Sequence, residues 1–310
     1  MSKYTTGIHH ISAIVGDPQE TVDFYATVLG LRLVKKTVNF DDPDTYHLYF
    51  GDESGTPGTI ITFFPWINGS TGRIGDGQVG VTSYVVPEGA LPYWKKRLEK
   101  HGLIVSLTER FNEKNLAFED PHGLRLEIVA RARGKNSTWT PEELSPETAI
   151  KGFGGATLFS RKPKETAHLL EMDMGLTKFG EENDFIRFRA SGDMGNVIDL
   201  KATATRNGLT GVGTVHHIAW RTENAAEQSE WQDILRNKGY GVTPVKDRNY
   251  FTSIYFRERG QILFEIATDG PGFSRDESED TLGEQLMLPP QHEKHREKLE
   301  RTLIPINVHY

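Results

Sequence analysis

The feature that most constrains the fold of this chain is a pattern that recurs four times along its length. Each copy reads as an apolar strand, an amphipathic helix that ends in a glycine turn, and about three further strands. The turn glycines lie 72, 73 and 64 residues apart and are Gly30, Gly102, Gly175 and Gly239. Because glycine readily adopts the left-handed conformation that ends a helix, this repetition predicts four modules of the form βαβββ.

The four modules predict an α+β fold in which pairs of modules form two cup-like β-sheet domains. Module boundaries are expected at residues 5–66, 77–131, 150–203 and 212–270. Residues 132–149 lose the periodicity and are rich in polar and turn residues, so they are expected to link the two halves. Residues 271–310 are expected to form a C-terminal extension with a short, highly charged helix.

Composition narrows the class of function. The 310 residues are 36% hydrophobic and 25% charged, which is typical of a soluble globular protein with about two domains. No apolar run approaches the roughly 18 residues of a membrane helix. The net charge is -7 and no block of Lys and Arg is present, which argues against a nucleic-acid partner. We therefore expect a cytoplasmic protein that acts on a small molecule, and the pattern leaves open whether it forms a homo-oligomer.

The chain contains no cysteine. Disulfides, cysteine-ligated metal sites and cysteine nucleophiles are therefore excluded. A bound metal would have to use His, Asp, Glu or other oxygen ligands.

Two positions that recur in every module carry the functional signal. In module order, the middle of the opening strand holds His10, Val81, Gly155 and His217. The middle of the closing strand holds Thr62, Glu127, Asp199 and Glu265. A carboxylate among apolar strand neighbours, as at Glu265, is costly unless it is paired or binds a metal. Two histidines with one carboxylate are the facial set of many iron(II) sites, in which the other coordination positions stay open.

These residues also predict how the modules pair. If sequential modules paired, His10 and His217 would lie in different cups, and each cup would have one histidine. The first and fourth modules are therefore expected to share one cup. The second and third modules would form the other cup, which we expect to be metal-free because Val81 and Gly155 offer no ligand.

Each of these histidines follows another histidine, in the pairs His9-His10 and His216-His217. Side chains alternate across a β-strand. We therefore expect one residue of each pair to face the cup, while the other supports a ligand or packs in the core.

Longer stretches resemble a known family. The chain resembles the vicinal oxygen chelate superfamily, whose unit is βαβββ, over nearly its whole length. Residues 24–40 are similar to the first unit of its ring-cleaving dioxygenases. The segment YHLYFGDESGTPGT at 46–59, with residues 247–251 and 272–277, resembles the hydroquinone (para-diol) group, which includes the methylhydroquinone-type and dichlorohydroquinone enzymes.

The resemblance implies an Fe(II) centre that uses the second histidine of each pair and the closing-strand glutamate, which are His10, His217 and Glu265. The substrate would be a small aromatic diol, cleaved with O2 in the degradation or detoxification of quinones and aromatic compounds.

The resemblance also places His216, Arg248 and Tyr255 near the substrate. His216 is a candidate acid or base, Tyr255 a hydrogen-bond donor to a substrate oxygen, and Arg248 a stabiliser of negative charge. His9 and Ser12 are candidates for supporting the ligands; Ser12 stands where relatives often have threonine and keeps the hydroxyl.

Three alternatives share this fold. A glyoxalase-like isomerase usually has four protein ligands, two His and two Glu, whereas Thr62 stands at the fourth position here. A metal-free ligand-sequestering protein would not need the two histidines and Glu265 together. A familiar catechol dioxygenase has its ligands in the third and fourth modules, and the third module offers Gly155.

Overall fold

Four βαβββ modules form two curled, eight-stranded sheets in the computed structural model, which describes residues 4–310. The first module contains β1 (Ile8–Val15), α1 (Pro18–Val22), β2 (Arg32–Val38), β3 (Tyr46–Gly51) and β4 (Ile60–Pro65). The second contains β5 (Gln78–Val86), α2 (Leu91–Lys100), β6 (Ser106–Arg110), β7 (Glu113–Glu119) and β8 (Arg125–Ala130).

The second half of the chain repeats this plan. The third module contains β9 (Gly152–Phe159), α3 (Pro163–His168), β10 (Thr177–Glu182), β11 (Phe185–Arg189) and β12 (Val197–Lys201). The fourth contains β13 (Thr214–Thr222), α4 (Ala225–Asn237), β14 (Lys246–Asp247), β15 (Phe251–Arg257) and β16 (Leu263–Pro271). The extension that follows has short 3-10 turns at Phe273–Arg275, Glu279–Thr281 and Glu293–His295, and the helix α5 (Arg296–Thr302).

The module helices begin and end where the local sequence dictates. Asp17 caps α1 by accepting hydrogen bonds from the backbone N–H groups of Gln19 and Glu20, and Asn224 caps α4 in the same way. Wider π-helical turns, Asp23–Val28 and Leu169–Asp173, continue α1 and α3. All four turn glycines have a positive φ, between 69° and 80°, which explains the recurrence of glycine at this point.

The order of strands pairs the modules across the chain. One sheet has the order β14-β15-β16-β13-β1-β4-β3-β2, so it combines the first and fourth modules, and the other has the order β10-β11-β12-β9-β5-β8-β7-β6. In each sheet the opening strands of the two modules pair antiparallel at the centre. The α+β fold with the first and fourth modules in one cup, predicted from the histidine positions, is confirmed.

The strand register relates the two recurring positions to each other. In every module the closing-strand residue lies opposite the residue two places after the opening-strand position. The four pairs are Ser12–Thr62, Ser83–Glu127, Thr157–Asp199 and Ala219–Glu265. The modules therefore superimpose residue by residue, and each cup has a pseudo-twofold axis between its opening strands.

The core lies between the sheets and the helices that cover them. Trp94 of α2 and Trp231 of α4 are buried, as is Trp220 of β13. Among residues 4–310 there is no helix with the length and apolar character required to cross a membrane.

The C-terminal extension covers β2, which is the edge strand of the first sheet. Leu286 forms a parallel bridge with Lys36, and the buried Lys35 ammonium pairs with Asp276 and Glu277. An exposed strand edge is a template for unwanted pairing, and this segment blocks it.

Candidate metal centre

Three potential ligands converge at the bottom of the first cup. His10 lies on β1, His217 on β13 and Glu265 on β16, and all three are buried. The Nε2 atoms of the two histidines are 3.3 Å apart, and Glu265 Oε2 lies 2.8 Å from His217 Nε2 and 3.3 Å from His10 Nε2. Among the residues that the structure describes, these three are the group whose donor atoms are spaced to hold a metal ion.

The surroundings of Glu265 fit a cation. The Ser253 hydroxyl donates a hydrogen bond to Oε1, whereas the buried Oε2 accepts none of proper geometry from the described residues. Burial alone would raise the pKa of Glu265, but His10 and His217 hold the pKa well below its ordinary value. A buried carboxylate with one uncommitted oxygen, facing two imidazole nitrogens, suits a divalent metal with N and O ligands.

The partner histidines sit in β-bulges. Between Ile8 and His10, β1 has one residue more than β13, and that extra residue is His9. Between Val215 and His217, β13 has one residue more than β1, and that residue is His216. A bulge breaks the strict alternation of side chains. The expectation that only one of His216 and His217 faces the cup is therefore wrong, because both line the same cavity.

The hydrogen bonds of His9 determine which nitrogen of His10 is free. His9 Nε2 lies 3.1 Å from the carbonyl oxygen of Thr268, which can only accept, so Nε2 carries the proton. Burial, followed by the charge of His10, holds the pKa of His9 well below its ordinary value, so the ring is neutral and its Nδ1 accepts. The 2.9 Å contact between the two Nδ1 atoms is then donated by His10, so a neutral His10 presents an unprotonated Nε2 to a metal.

His216 makes the equivalent contact with His217. Their Nδ1 atoms are 2.7 Å apart. His216 is the more exposed of the two, yet desolvation within the cavity, followed by the charge of His217, lowers the pKa of His216 to about 3. Burial likewise lowers the pKa of His217, against the opposing effect of Glu265. For His217 Nε2 to bind a metal, its proton must be on Nδ1, so the neutral His216 accepts there and presents Nε2–H to the cavity.

The cavity above the three ligands has a volume of about 190 Å³. An apolar cavity of about 150 Å³ is enough for a benzene ring. Its walls include Ser12, Phe64, Phe251, Tyr255 and Arg248. The sequence-predicted residues Ser12, His216, Tyr255 and Arg248 thus meet in one cavity with His10 and His217, while His9 lies behind His10.

Arg248 lines this cavity together with Tyr255 and Asp41. Its Nε donates to the Tyr255 hydroxyl at 3.2 Å, and its terminal nitrogens lie 3.3 and 3.4 Å from Asp41 on the loop between β2 and β3. Burial acts to lower the pKa of Arg248, but Tyr255 and Asp41 outweigh it and raise the pKa. The guanidinium is therefore fixed, charged and turned toward the substrate space.

Sequence reasoning missed a second polar wall of the cavity. His47 and Tyr49 of β3 line it together with Asn39, Phe40 and Asp41. His47 Nε2 lies 2.9 Å from Thr62 Oγ1, and His47 Nδ1 lies 2.9 Å from the Tyr49 hydroxyl. The segment YHLY alternates in a way that places one polar face on the cup, which is the signal that could have found these residues.

The second cup is filled by arginines. Arg110 donates to Asp199 at 2.7 Å and to Glu127 at 3.0 Å, and Arg187 donates to both oxygens of Asp199 at 2.7 and 2.9 Å. The two carboxylates at the ligand-equivalent positions are thus neutralised by guanidinium groups. Among the described residues of this cup, neither of these carboxylates is left free to bind a cation.

Comparison with known proteins places the chain in a family. Residues 7–128 match the Glyoxalase/Bleomycin resistance protein/Dioxygenase superfamily. Over 99% of both chains, the sequence is 63% identical to a Bacillus subtilis protein that carries the provisional name ring-cleaving dioxygenase MhqO. The chain belongs to the ring-cleaving dioxygenases of this superfamily.

Two further relatives cover nearly the full length of this dioxygenase. A solved crystal structure from Bacillus subtilis superimposes with a TM-score of 0.99, at 62% identity and 99% coverage of both chains. The chlorohydroquinone/hydroquinone 1,2-dioxygenase of Sphingobium indicum is 35% identical over 96% of this chain and 95% of its own. The predicted resemblance and enzyme class are confirmed, and the isomerase and metal-free alternatives lose their support.

Proposed function

We propose that this dioxygenase uses Fe(II), bound by His10, His217 and Glu265, to open the ring of hydroquinones with O2. The observation that carries the proposal is the convergence of three buried donor atoms beneath a ring-sized cavity, with a neutral Thr62 at the position of a fourth ligand. The relative from Sphingobium indicum, named for hydroquinone substrates, supports the choice of a para-diol.

Iron is favoured by the donor set. Two imidazoles and one carboxylate on one face leave adjacent coordination positions open, which is the arrangement of non-haem iron(II) oxygenases. Bound there, Fe(II) supplies a path for electrons between a diol and O2, which otherwise react slowly because their spin states differ.

The cavity walls select and orient the ring. Phe251 packs 5.0 Å from the His10 ring and Phe64 lies 5.8 Å from the His216 ring, measured between centroids, so aromatic faces flank the ligands. The two hydroxyls of a hydroquinone are on opposite carbons of the ring, so only one of them can reach a metal held by the three ligands. The other hydroxyl then points into the cavity, toward its polar residues.

His216, Tyr255 and Arg248 act on the reacting oxygens in this proposal. His216 presents Nε2–H to the cavity and donates a hydrogen bond to a reacting oxygen. Burial raises the pKa of Tyr255, which therefore remains a neutral hydrogen-bond donor. Arg248 stabilises negative charge as it develops on oxygen.

Cleavage in this proposal is extradiol-type, between the carbon that bears the hydroxyl at the ligands and its ring neighbour. Both atoms of O2 enter the product. The proposal includes a cytoplasmic location and a role in the removal of quinols and related aromatic compounds.

The test is oxygen consumption by anaerobically purified, Fe(II)-loaded protein supplied with methylhydroquinone. We expect O2 uptake that matches loss of the aromatic ultraviolet band, and neither signal in His217→Ala. Catechol in parallel distinguishes a para-diol from an ortho-diol preference. Stoichiometric iron binding without O2 uptake on either diol would contradict the proposed reaction.

A further inference from the structure

The first-module side of the cup carries a continuous chain of hydrogen bonds that is separate from the metal ligands and from His216, Tyr255 and Arg248. Ser12 Oγ lies 2.7 Å from Thr62 Oγ1, which lies 2.9 Å from His47 Nε2, and His47 Nδ1 lies 2.9 Å from the Tyr49 hydroxyl. All four residues are buried, with at most 8% of any one exposed. Ser12 and Tyr49, the two ends of the chain, both line the substrate cavity.

Pseudo-symmetry places this chain beside the ligands. Tyr49 lies opposite Thr62 across the sheet, as Tyr255 lies opposite Glu265. Thr62 is therefore the first-module counterpart of the carboxylate ligand. Where the fourth module offers a ligand oxygen, the first module offers a hydroxyl that is hydrogen-bonded on two sides.

The geometry holds His47 in place as a connector. Its ring packs between the rings of Phe64 and Tyr49, with centroids 4.2 and 4.1 Å away, so only its two nitrogens are free to form hydrogen bonds. Both nitrogens are used, one toward Thr62 and one toward Tyr49. A neutral imidazole with one donor and one acceptor nitrogen transmits a proton when the two exchange roles.

A proton acceptor is needed on this side of the cavity. A diol hydroxyl has a pKa near that of a phenol, about 10, so it arrives protonated and must lose its proton to bind as an anion. His216 is unsuited to this first step, because its Nδ1 accepts from His217 and its Nε2 already carries a proton.

We propose that Ser12, Thr62, His47 and Tyr49 form a proton relay that removes the proton of the bound diol hydroxyl. The substrate O–H bond breaks and a Ser12 O–H bond forms, while Ser12 gives its own proton to Thr62. Thr62 passes its proton to His47 Nε2, His47 passes the Nδ1 proton to the Tyr49 oxygen, and the Tyr49 proton leaves to water in the cavity. Every group in the chain is neutral before and after the transfer.

The low basicity of His47 is compatible with this role. Burial, followed by the charges of His10 and His217, holds the pKa of His47 well below its ordinary value. A relay needs exchange of the proton between the two nitrogens, without accumulation of a charged imidazolium. After the transfer every hydrogen bond of the relay points the other way. When the ring opens, the relay returns a proton to the cavity, and its hydrogen bonds regain their original direction.

The test compares Thr62→Val, which breaks the chain with little change in shape, with Thr62→Ser, which keeps the hydroxyl. The probe is 4-nitrophenol, mixed anaerobically with the Fe(II)-loaded protein at a pH below the pKa of the free probe. The probe then arrives protonated, and its ionisation on binding is seen as visible absorbance without any turnover. We expect Thr62→Val to slow ionisation about 10²-fold and Thr62→Ser to remain close to the wild type.

The matched control is Thr37→Val, since Thr37 lies on β2 opposite His47 and its buried hydroxyl has no hydrogen-bond partner among the described residues. Thr37→Val should ionise the probe at the wild-type rate. Ionisation at the wild-type rate by folded, iron-loaded Thr62→Val would overturn the relay.

The wild-type protein gives a second test that does not depend on the folding of a variant. The rate of probe ionisation measured across mixtures of H2O and D2O should curve downward, because several protons move together. A straight line would mean that one proton moves, which contradicts the relay. The relay rests on the proposed function, but wild-type iron binding and O2 uptake test that function separately.

Discussion

Thr62 and Glu265 occupy equivalent positions in the two modules that form the metal cup, and only one of them is a potential ligand. In the second cup both equivalent positions are carboxylates, Glu127 and Asp199, and arginines neutralise them. The two cups therefore share one architecture but differ in chemistry. The first cup has three metal donors and an open face, whereas ion pairs fill the second.

This asymmetry predicts that the same Glu→Gln substitution weakens Fe(II) binding in the first cup and leaves it unchanged in the second. Glu265→Gln removes the anionic donor, and we expect Fe(II) affinity to fall by more than about 100-fold, beyond the usual effect of a residue that only supports a ligand. Glu127→Gln should keep one iron per chain. Anaerobic metal titration measures both, and retention of iron by Glu265→Gln would contradict the assignment.

His9 should affect the metal without touching it. Because it holds the proton of His10 on Nδ1, His9→Leu is expected to weaken Fe(II) binding about 10- to 100-fold. His101→Leu, at an exposed helix end, serves as the control and should bind iron normally. Equal affinity in the two variants would show that His9 does not set the orientation of His10.

The ion pair of Lys35 with the C-terminal extension should be a large contributor to stability. Its ammonium is fully buried, 2.7 Å from Asp276, whose carboxylate also accepts from Tyr250. Lys35→Met leaves two partly buried carboxylates without their cation, and we expect the free energy of unfolding to fall by about 3 kcal/mol.

The exposed pair of Lys95 and Glu99 provides the comparison, because its two side chains are 49% and 46% exposed. Lys95→Met should change the free energy of unfolding by only about 0.3–0.5 kcal/mol. Urea denaturation of the two variants measures the difference. Similar losses in both would mean that the extension does not depend on the buried pair.

Much of the fold and the donor set follows from the repeat. Comparison of equivalent positions isolates His10, His217 and Glu265, and the location of the two histidines in modules one and four requires those modules to share a sheet. The β-bulges were missed because a single inserted residue leaves no periodic pattern of apolar and polar residues in the sequence. Gly80 and Gly154 occupy the same bulges in the second cup, and a glycine within a strand is the signal that could have indicated them.

The polar wall of His47 and Tyr49 was missed for a different reason. The alternation of YHLY places His47 and Tyr49 on one face of β3, but the local sequence does not show what that face contacts. Their role depends on a contact with Thr62, which the strand register creates between separate strands. The same holds for Asp41, whose partner Arg248 is distant in sequence.

The buried histidines predict that the metal-free protein loses stability in acid. Burial holds the pKa values of His9 and His47 well below normal and that of His216 at about 3. The unfolded chain binds protons near the ordinary value of about 6.5, where these folded groups remain neutral. The unfolded state then binds more protons, so the free energy of unfolding should decrease as the pH falls below about 6.5.

Urea unfolding at about pH 7 and about pH 5, on either side of the ordinary histidine pKa, measures this slope. The variant His47→Leu should have a shallower slope than the wild type, because it lacks one of the contributing groups. An unchanged slope would mean that His47 titrates alike in the folded and unfolded states.

The most direct test of the account is an anaerobic titration of the protein with Fe(II), followed by nitric oxide as a stand-in for O2, with electron paramagnetic resonance as the readout. We expect one iron per chain and a high-spin iron–nitrosyl signal that changes when methylhydroquinone binds. The signal should be absent in His217→Ala. Failure to bind iron, or a signal that methylhydroquinone leaves unchanged, would contradict the claim that diol and oxygen meet at these three residues.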